Sequence, residues 1–287
     1  MSAILLYLCI IASASTHTSL NKMFTRQSDQ SAVFNVLRAL TAFCMFCIIS
    51  IPGGTFHAPT VGFGMCYGIF LSIAMYMGYC ALCAGPMALT SMMISFSVIF
   101  PVLWGILVRK EQVTLLQGAA FLLLFTALIL VNADKFRQKQ KTDIQYKKWF
   151  LYASVTCLCN GGCSILQKEH QTAFPSLYSR EFMAAAMGIC TLLFLIAALR
   201  RVTLQDFRQT TGKWYAVLAG ITNSTANFLT LVLAGLENAS VLFPMISAGT
   251  IFAALLWGIF AFREKPKANQ YAALLAGVFS IVLLKLS

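Results

Sequence analysis

One pattern of residues occurs twice in the chain, once near the end of each half. In both copies a Trp-Gly-Ile triplet closes an apolar stretch, a Glu follows the Trp by 7 residues, and a Gln follows the Glu by 6. The matching residues are Trp104, Glu111 and Gln117 in the first copy and Trp257, Glu264 and Gln270 in the second. Self-similarity at a separation of 153 residues (104 to 257) in a chain of 287 predicts two related halves.

The chain is much more apolar than a soluble domain. Hydrophobic residues make up 59% and charged residues 10%, whereas a soluble domain carries about 25% charged residues. Runs long enough to span a bilayer, roughly 17–25 residues, lie at 2–21, 31–51, 62–83, 87–108, 115–132, 149–167, 176–199, 214–234, 239–261 and 270–286. Because backbone groups find no water inside a bilayer, each run predicts a helix. The expected fold class is therefore an all-α integral membrane protein with ten transmembrane helices.

The ten segments divide into two sets of five. We expect a first five-helix repeat at 1–133, a basic inter-repeat loop at 134–148 and a second five-helix repeat at 149–287. Since five is odd, the second repeat must enter the membrane from the opposite side, so the two repeats are inverted. Proteins built in this way place their substrate site near the midplane, where the repeats meet.

The net charge of +12 predicts a membrane topology and not a nucleic-acid partner. The basic residues lie in turns between apolar segments, 15 of them after odd-numbered segments and 4 on the other face. The positive-inside rule then places both termini outside. We expect a multi-pass protein of the cell membrane, which in bacteria would be the inner membrane. We expect it to be a monomer or a homodimer. The ten cysteines lack ligand spacing, so we expect buried apolar thiols, no metal and no cofactor.

The five-plus-five arrangement, Arg38 within Val36–Leu40, and the Glu that closes segments four and nine resemble the EamA-like carriers of the drug/metabolite transporter superfamily. The resemblance covers nearly the whole chain. It implies a proton- or exchange-driven carrier of small organic solutes, with a cavity walled by helices 1–4 and 6–9. Lys110 and Arg263 stand where the family usually has Gly. The family also implies termini inside, so both orientations remain open.

Insertion of an ionisable side chain into a bilayer costs about 2.5–3.5 kcal/mol for Arg or Asp, so such residues are candidates for a functional or structural role. Arg38 either binds a substrate carboxylate or phosphate, or bonds neighbouring groups and extends to the interface. Glu181 is either a proton-coupling acid whose pKa burial would raise, or the interfacial partner of Arg180 or Lys168. His17 is either a substrate and proton-coupling residue, or a histidine bonded to a neighbouring helix.

Amide side chains supply further candidates for substrate binding. Asn223 and Asn227 are four residues apart and share one face of their helix. They either hold helices together or line a polar cavity. Asn35 and Asn160 are weaker candidates of the same kind.

Two tyrosines three residues apart, Tyr76 and Tyr79, offer ring faces and hydroxyls on the third segment. An aromatic pair can close over a flat or cationic solute, but tyrosine is also common at the membrane interface. Both interpretations stay open.

These features favour a secondary carrier that moves a small polar organic metabolite by alternating access. The metabolite would be amino-acid-like, an amine or a heterocycle, with proton coupling or exchange. The alternative is a lipid-linked sugar flippase of the same fold. An enzyme is not expected, because neither HExxH nor GxSxG occurs, and a receptor-like protein would not need an inverted repeat.

Overall fold

The computed structural model describes residues 3–25, 31–50, 57–84, 90, 93–137, 146–199, 204–260 and 268–286. Every regular element within these ranges is helical. The main helices of the first half are α1 (Ala3–Thr25), α2 (Ser31–Ser50), α3 (Ala58–Ala84), α4 (Ile99–Leu107) and α5 (Leu115–Arg137). Those of the second half are α6 (Tyr146–Ala173), α7 (Ser179–Leu199), α8 (Lys213–Ala234), α9 (Ala239–Phe260) and α10 (Ala268–Leu286). A 3-10 turn, Phe96–Val98, precedes α4, and a short helix, Leu204–Gln209, precedes α8.

Within the described ranges, 7 helices have the length and composition needed to cross a membrane. They are α1, α2, α3, α6, α7, α8 and α10. Shorter apolar helical stretches lie at Met93–Leu107, Leu115–Leu130 and Ala239–Ala253. The all-helical fold expected from the apolar runs is confirmed among the described residues, with seven helices long and apolar enough to cross a membrane.

Helix α6 is longer than the apolar run at 149–167 that predicts it. Its 28 residues correspond to about 42 Å at 1.5 Å per residue, which exceeds a hydrocarbon core of about 30 Å. Helical hydrogen bonding continues past the apolar residues because polar side chains at the helix end find partners. Lys168 Nζ, for example, donates to the Ala234 carbonyl oxygen at 3.0 Å. Helix also extends into both ends of the expected inter-repeat loop, of which 138–145 lies outside the described residues.

The chain forms two compact units that do not follow the two halves of the sequence. Unit 1 comprises Met1–Ser72 and Leu166–Gly235, and unit 2 comprises Ile73–Ile165 and Leu236–Ser287. Each unit therefore contains residues from both halves. Two of the three boundaries fall inside α3 and α6, and the third lies between α8 and α9.

Unit 1 packs α1 against α8, and α2 against both α7 and α8. Small residues allow backbones to approach closely here, as is usual between membrane helices. A Cβ at Gly220 of α8 would lie 2.5 Å from the carbonyl oxygen of Arg38. A Cβ at Gly64 of α3 would lie 2.5 Å from the carbonyl oxygen of Phe182. A buried apolar cluster joins α1, α2 and α8 and consists of Leu20, Phe24, Phe34, Ala216 and Ala219.

Unit 2 packs α5 against α10, α4 against α9, and α9 against both α5 and α10. Buried polar side chains supplement these contacts. Ser280 Oγ on α10 donates to the Ala120 carbonyl oxygen on α5 at 2.8 Å. Trp149 Nε1 donates to Thr90 Oγ1, also at 2.8 Å, so the indole N–H has a partner although the ring is buried.

The first copy of the repeated motif forms the turn between α4 and α5. The backbone N–H of Glu111 donates to the Gly105 carbonyl oxygen at 3.0 Å, and Lys110 adopts a left-handed φ of 55°. The Glu111 carboxylate accepts the backbone N–H groups of Ala239 and Ser240, each at 2.9 Å. These are the first two residues of α9, so the carboxylate occupies the helix end that favours negative charge. The second-copy Glu264 lies outside the described residues.

Candidate functional site

Arg38 is buried in α2 and binds two of the other candidate residues. Its Nη1 donates to His17 Nε2 at 3.1 Å, and its Nη2 donates to Asn35 Oδ1 at 3.0 Å. Because a guanidinium has only donors, Nε2 of His17 must accept. The guanidinium carbon also lies 5.6 Å from the centre of the Phe34 ring. The structure thus brings Arg38, His17 and Asn35 into one cluster of unit 1; their contact with a substrate stays a prediction.

A second polar cluster in unit 1 joins α3, α6 and α8. The hydroxyl of Tyr67, a residue only 2% exposed, donates to Asn227 Oδ1 at 3.0 Å. Gln167 Nε2 donates to the Tyr67 oxygen at 3.4 Å and to the Asn227 carbonyl oxygen at 3.1 Å. Asn227 Nδ2 donates to the Asn223 carbonyl oxygen at 2.9 Å. Asn227 remains half-buried, so this neutral hydrogen-bonding cluster has one partly accessible member.

A third polar cluster lies where α3 begins and α6 ends. Thr60 Oγ1 is 3.0 Å from His57 Nδ1 and 3.3 Å from His170 Nε2. Gln171 Nε2 is 3.2 Å from His170 Nδ1 and donates to Ser179 Oγ at 2.9 Å. His57 is half-buried, whereas Thr60 and His170 have no exposed surface. Two of the three histidines of the chain therefore share one threonine hydroxyl.

Glu181 lines a groove of about 590 Å³ between α2, α3 and α7. The other wall residues are predominantly apolar, including Phe43, Met65 and Leu192. Ser50 also lines the groove, and its buried Oγ has no hydrogen-bond partner among the described residues. The groove therefore combines one carboxylate and one hydroxyl with an apolar wall.

The remaining candidates belong to unit 2. The Tyr76 and Tyr79 side chains are 40% and 47% exposed, as interfacial or lipid-facing rings would be. Asn160 is half-buried on α6, and its carbonyl oxygen accepts from Ser164 Oγ at 3.4 Å. The structure thus divides the candidate residues between the units: His17, Asn35, Arg38, Glu181, Asn223 and Asn227 in unit 1, and Tyr76, Tyr79 and Asn160 in unit 2.

Comparison with known proteins supplies a fold but no family. The chain matches no protein-family model and no curated protein. Among solved structures, 28 chains match it. One crystal structure of a protein aligns with a TM-score of 0.80 over 98% of this chain and 96% of that chain, at 15% sequence identity. Likeness at this identity shows that the fold occurs in an experimentally determined structure and does not indicate a ligand.

Sequence analysis did not identify Thr60, Tyr67, Gln167, His170 or Gln171 as site residues. Their spacing nevertheless carries a signal, because Thr60 and Tyr67 are two helical turns apart on α3. Gln167, His170 and Gln171 have the i, i+3, i+4 spacing of one face of α6. The apolar run that predicts α6 ends at residue 167, so the last turn of the helix was not recognised as one.

The three clusters offer neutral amides, a phenol, three imidazoles, two of them neighbours, and one guanidinium. Such groups bind polar solutes through hydrogen bonds and can take up protons. Within the described ranges, no group of three or more His, Cys, Asp or Glu side chains could hold a metal ion, and the ten cysteines form no disulfide.

Proposed function

We propose that the chain is a secondary carrier that moves a small polar organic metabolite across the cell membrane by alternating access. The observation that carries the proposal is the buried Tyr67–Gln167–Asn227 cluster, which joins three apolar helices. Polar groups within a membrane bundle are costly, and they mark substrate or ion pathways. Amides can also hold membrane helices together, so the feature that favours solute binding is the half-buried Asn227, which gives the cluster a partly accessible member.

Ten transmembrane helices in two inverted five-helix repeats are the architecture we propose. The repeated Trp-Gly-Ile motif supports it. Helix contacts support it too: α2 packs against α7, α4 against α9 and α5 against α10, and each pair joins the same position of the two halves. Contacts between equivalent elements are characteristic of parts related by a two-fold axis. This organisation is what membership of the EamA-like drug/metabolite carriers would require.

The chemistry of the Tyr67 cluster and the Arg38 cluster favours an amino-acid-like solute, an amine or a heterocycle. The Tyr67 hydroxyl and the amides of Gln167 and Asn227 can exchange their mutual hydrogen bonds for bonds to a solute. Arg38 offers a positive charge to a carboxylate, but in this conformation it already donates to His17 and Asn35. A zwitterion would therefore have to compete with a neutral imidazole for the guanidinium.

The groove beside Glu181 favours one second candidate, a lipid-linked sugar flippase. A flippase needs a lateral opening through which an acyl chain can remain in lipid while a polar head crosses. The groove has an apolar wall, with Glu181 and Ser50 as polar members, and its volume of about 590 Å³ falls in the size range of ligand sites.

Purified full-length protein in lipid nanodiscs can be screened by thermal shift against amino acids, nucleobases, amines and phosphates. Uptake of any stabilising solute would then be measured in proteoliposomes. We expect Asn227→Ala to abolish both responses and Tyr271→Phe, an exposed tyrosine of α10, to retain them. Transbilayer movement of a fluorescent lipid-linked sugar, without uptake of any soluble compound, would favour the flippase instead.

Orientation can be measured on the same protein. A membrane-impermeant maleimide should label Lys141→Cys from the cytoplasmic face if the Lys/Arg distribution governs topology, with both termini outside. Labelling from outside would favour the orientation of the family. The comparison requires a background in which the ten native cysteines have been replaced.

A further inference from the structure

The hydrogen bonds around His170 have a defined direction, which begins at Gln171. Gln171 Oε1 accepts the backbone N–H of Ser176 at 3.2 Å. A backbone N–H can only donate, so this bond fixes which end of the amide is oxygen. Gln171 Nε2 therefore faces His170, and it donates to Nδ1 at 3.2 Å.

The direction continues through Thr60 to His57. Because His170 Nδ1 accepts, the neutral ring carries its proton on Nε2, which donates to Thr60 Oγ1 at 3.3 Å. The hydroxyl is then free to donate its own proton to His57 Nδ1 at 3.0 Å. The chain of donors thus runs from Gln171 to His170, then to Thr60 and His57. With both imidazoles neutral, every donor in this chain has an acceptor.

Binding of a proton to either imidazole breaks this pattern. A second N–H on His170 would point at the Nε2–H of Gln171, so two donors would face each other. A proton on His57 Nδ1 would reverse the bond, so that the ring donates to Thr60 Oγ1 and the hydroxyl proton needs another acceptor. This conformation is therefore complementary to the deprotonated pair, and protonation favours a conformation in which α3, α6 and α7 separate at this end.

The position of the pair gives protons access to it. His57 lies just before α3, outside the apolar helix, and its half-buried ring stacks on Tyr178 at 4.5 Å between ring centres. The connection between α6 and α7 contains two residues in the left-handed region, Ser176 and Tyr178, with φ of 58° and 53°. Residues other than glycine rarely adopt such backbone angles. Strained segments of this kind occur where a structure changes conformation.

The pair is also connected to the Tyr67 cluster. Gln167 and His170 are about one turn apart on α6. The ring of Phe182 lies 4.7 Å from His170 and 5.3 Å from Tyr67, measured between centres. A displacement of His170 is thus transmitted to Tyr67 both along α6 and through Phe182.

We propose that His57, Thr60, His170 and Gln171 form the proton-binding site that couples transport to a proton gradient. The inference rests on the proposed carrier function and names its coupling ion. It assigns coupling to residues other than Glu181 and His17, the candidates expected from the sequence.

Other titratable groups lie near this end of unit 1. Tyr178 faces His57 directly, and the six residues before His57 contain no ionisable side chain. Lys168 donates to the Ala234 carbonyl oxygen, and Glu181 lines the groove between α2, α3 and α7. The charged residues nearest to the pair along α6 and α7 are Lys168, Glu169, Arg180 and Glu181.

Amide substitutions test the site because they preserve its hydrogen bonds without binding a proton. In His170→Gln the amide can accept from Gln171 and donate to Thr60, and in His57→Asn the amide oxygen can accept from Thr60. In nanodiscs, we expect Tm to fall between pH 8 and pH 5.5 by about 3 °C more in the wild type than in the double variant, which keeps the contribution of His17. An equal fall in both proteins would overturn the proposal.

Histidine NMR gives a second readout that does not depend on stability. The chain has only three histidines, so single variants assign their signals. At pH 8 we expect His170 to be protonated on Nε2 and His57 to be unprotonated on Nδ1. Thr60→Val should change the titration of both rings, whereas Thr172→Val, an exposed hydroxyl on α6, should change neither. Titrations unaffected by Thr60→Val would contradict a shared site.

A transport measurement separates this inference from the carrier proposal. Proteoliposomes containing a trapped pH-sensitive dye report proton movement when a solute that gave a thermal shift is added. We expect the double variant to lose proton movement at least tenfold while it still binds the solute. Uptake with unchanged proton movement would reject the coupling site and leave the carrier standing. If the wild type takes up no tested compound, the carrier proposal fails, and the NMR titration still decides whether the pair binds a proton.

Discussion

Glu111 Oε2 accepts the backbone N–H of Ser240 at 2.9 Å, although 129 residues separate the two in sequence. The first copy of the repeated motif therefore has a structural role, because its carboxylate caps the start of α9. The glycine of the motif is part of the same arrangement. A Cβ at Gly105 would lie 2.6 Å from that carboxylate oxygen, so the position next to Trp104 leaves no room for a side chain.

Removal of this carboxylate should destabilise the protein. We expect Glu111→Ala to lower the free energy of unfolding by about 1–2 kcal/mol, because two N–H groups at the start of α9 lose their acceptor. Glu111→Gln keeps one acceptor oxygen and should lose less. Thermal denaturation in nanodiscs measures the difference, with Gln112→Ala, an exposed neighbour, as the control. Equal Tm values for Glu111→Ala and the control would contradict the capping role.

A methyl group on the packed face of α3 should be much more costly than one on its exposed face. A Cβ at Gly68 would collide with the Ala186 carbonyl oxygen, whereas a Cβ at Gly62 meets nothing within 4 Å. Gly68→Ala should therefore destabilise by about 1–3 kcal/mol. Gly62→Ala should be neutral, or stabilising by up to about 1 kcal/mol, because alanine favours the helix. A similar loss of Tm in both variants would mean that α3 and α7 are not packed as described.

The hydroxyl of Tyr67 should matter for solute binding. Tyr67→Phe keeps the ring but leaves Asn227 Oδ1 without its donor, so affinity for the stabilising solute should fall about tenfold. Asn223→Ala should have a smaller effect than Asn227→Ala, because the cluster uses the backbone carbonyl of Asn223. Titrations followed by thermal shift compare the three variants. An effect of Asn223→Ala as large as that of Asn227→Ala would show that both amide side chains contact the solute.

Arg38 and His17 should prove energetically coupled even without a solute. Arg38→Lys cannot donate to His17 and Asn35 in the same fork geometry, so we expect it to lower Tm in the solute-free protein. A double-mutant cycle with His17→Ala should give a coupling energy of about 1 kcal/mol or more. Arg180→Lys, on the exposed surface of α7, serves as the matched control. A coupling energy near zero would contradict the hydrogen bond between Arg38 and His17.

The positions of the helices could be predicted because each depends on a local property of the sequence. A run of apolar residues must form a helix in a bilayer whatever its neighbours are. Accordingly the segment expected at 214–234 is found at Lys213–Ala234, and that at 239–261 at Ala239–Phe260. Differences occur where polar residues extend a helix, as at the end of α6, and in the segment expected at 87–108, where a 3-10 turn, Phe96–Val98, precedes α4.

The polar clusters could not be predicted in this way because their partners are distant in sequence. Thr60 and His170 are separated by 110 residues, and Tyr67 and Asn227 by 160. Helix periodicity indicates which residues share a face of one helix, but not which face of another helix meets it. Arg38, His17 and Asn35 were each recognised as unusual in an apolar segment, and only the structure shows that they bind one another.

The boundaries of the two compact units have a practical consequence for dividing the chain. Since two of the three boundaries fall within α3 and α6, a cut in the 138–145 connection would give two fragments, each with an incomplete part of each unit. Each fragment would lack the helices of the other half that pack against its own helices within each unit. The two pieces should therefore accumulate only when produced together, and reassemble as a complementing pair.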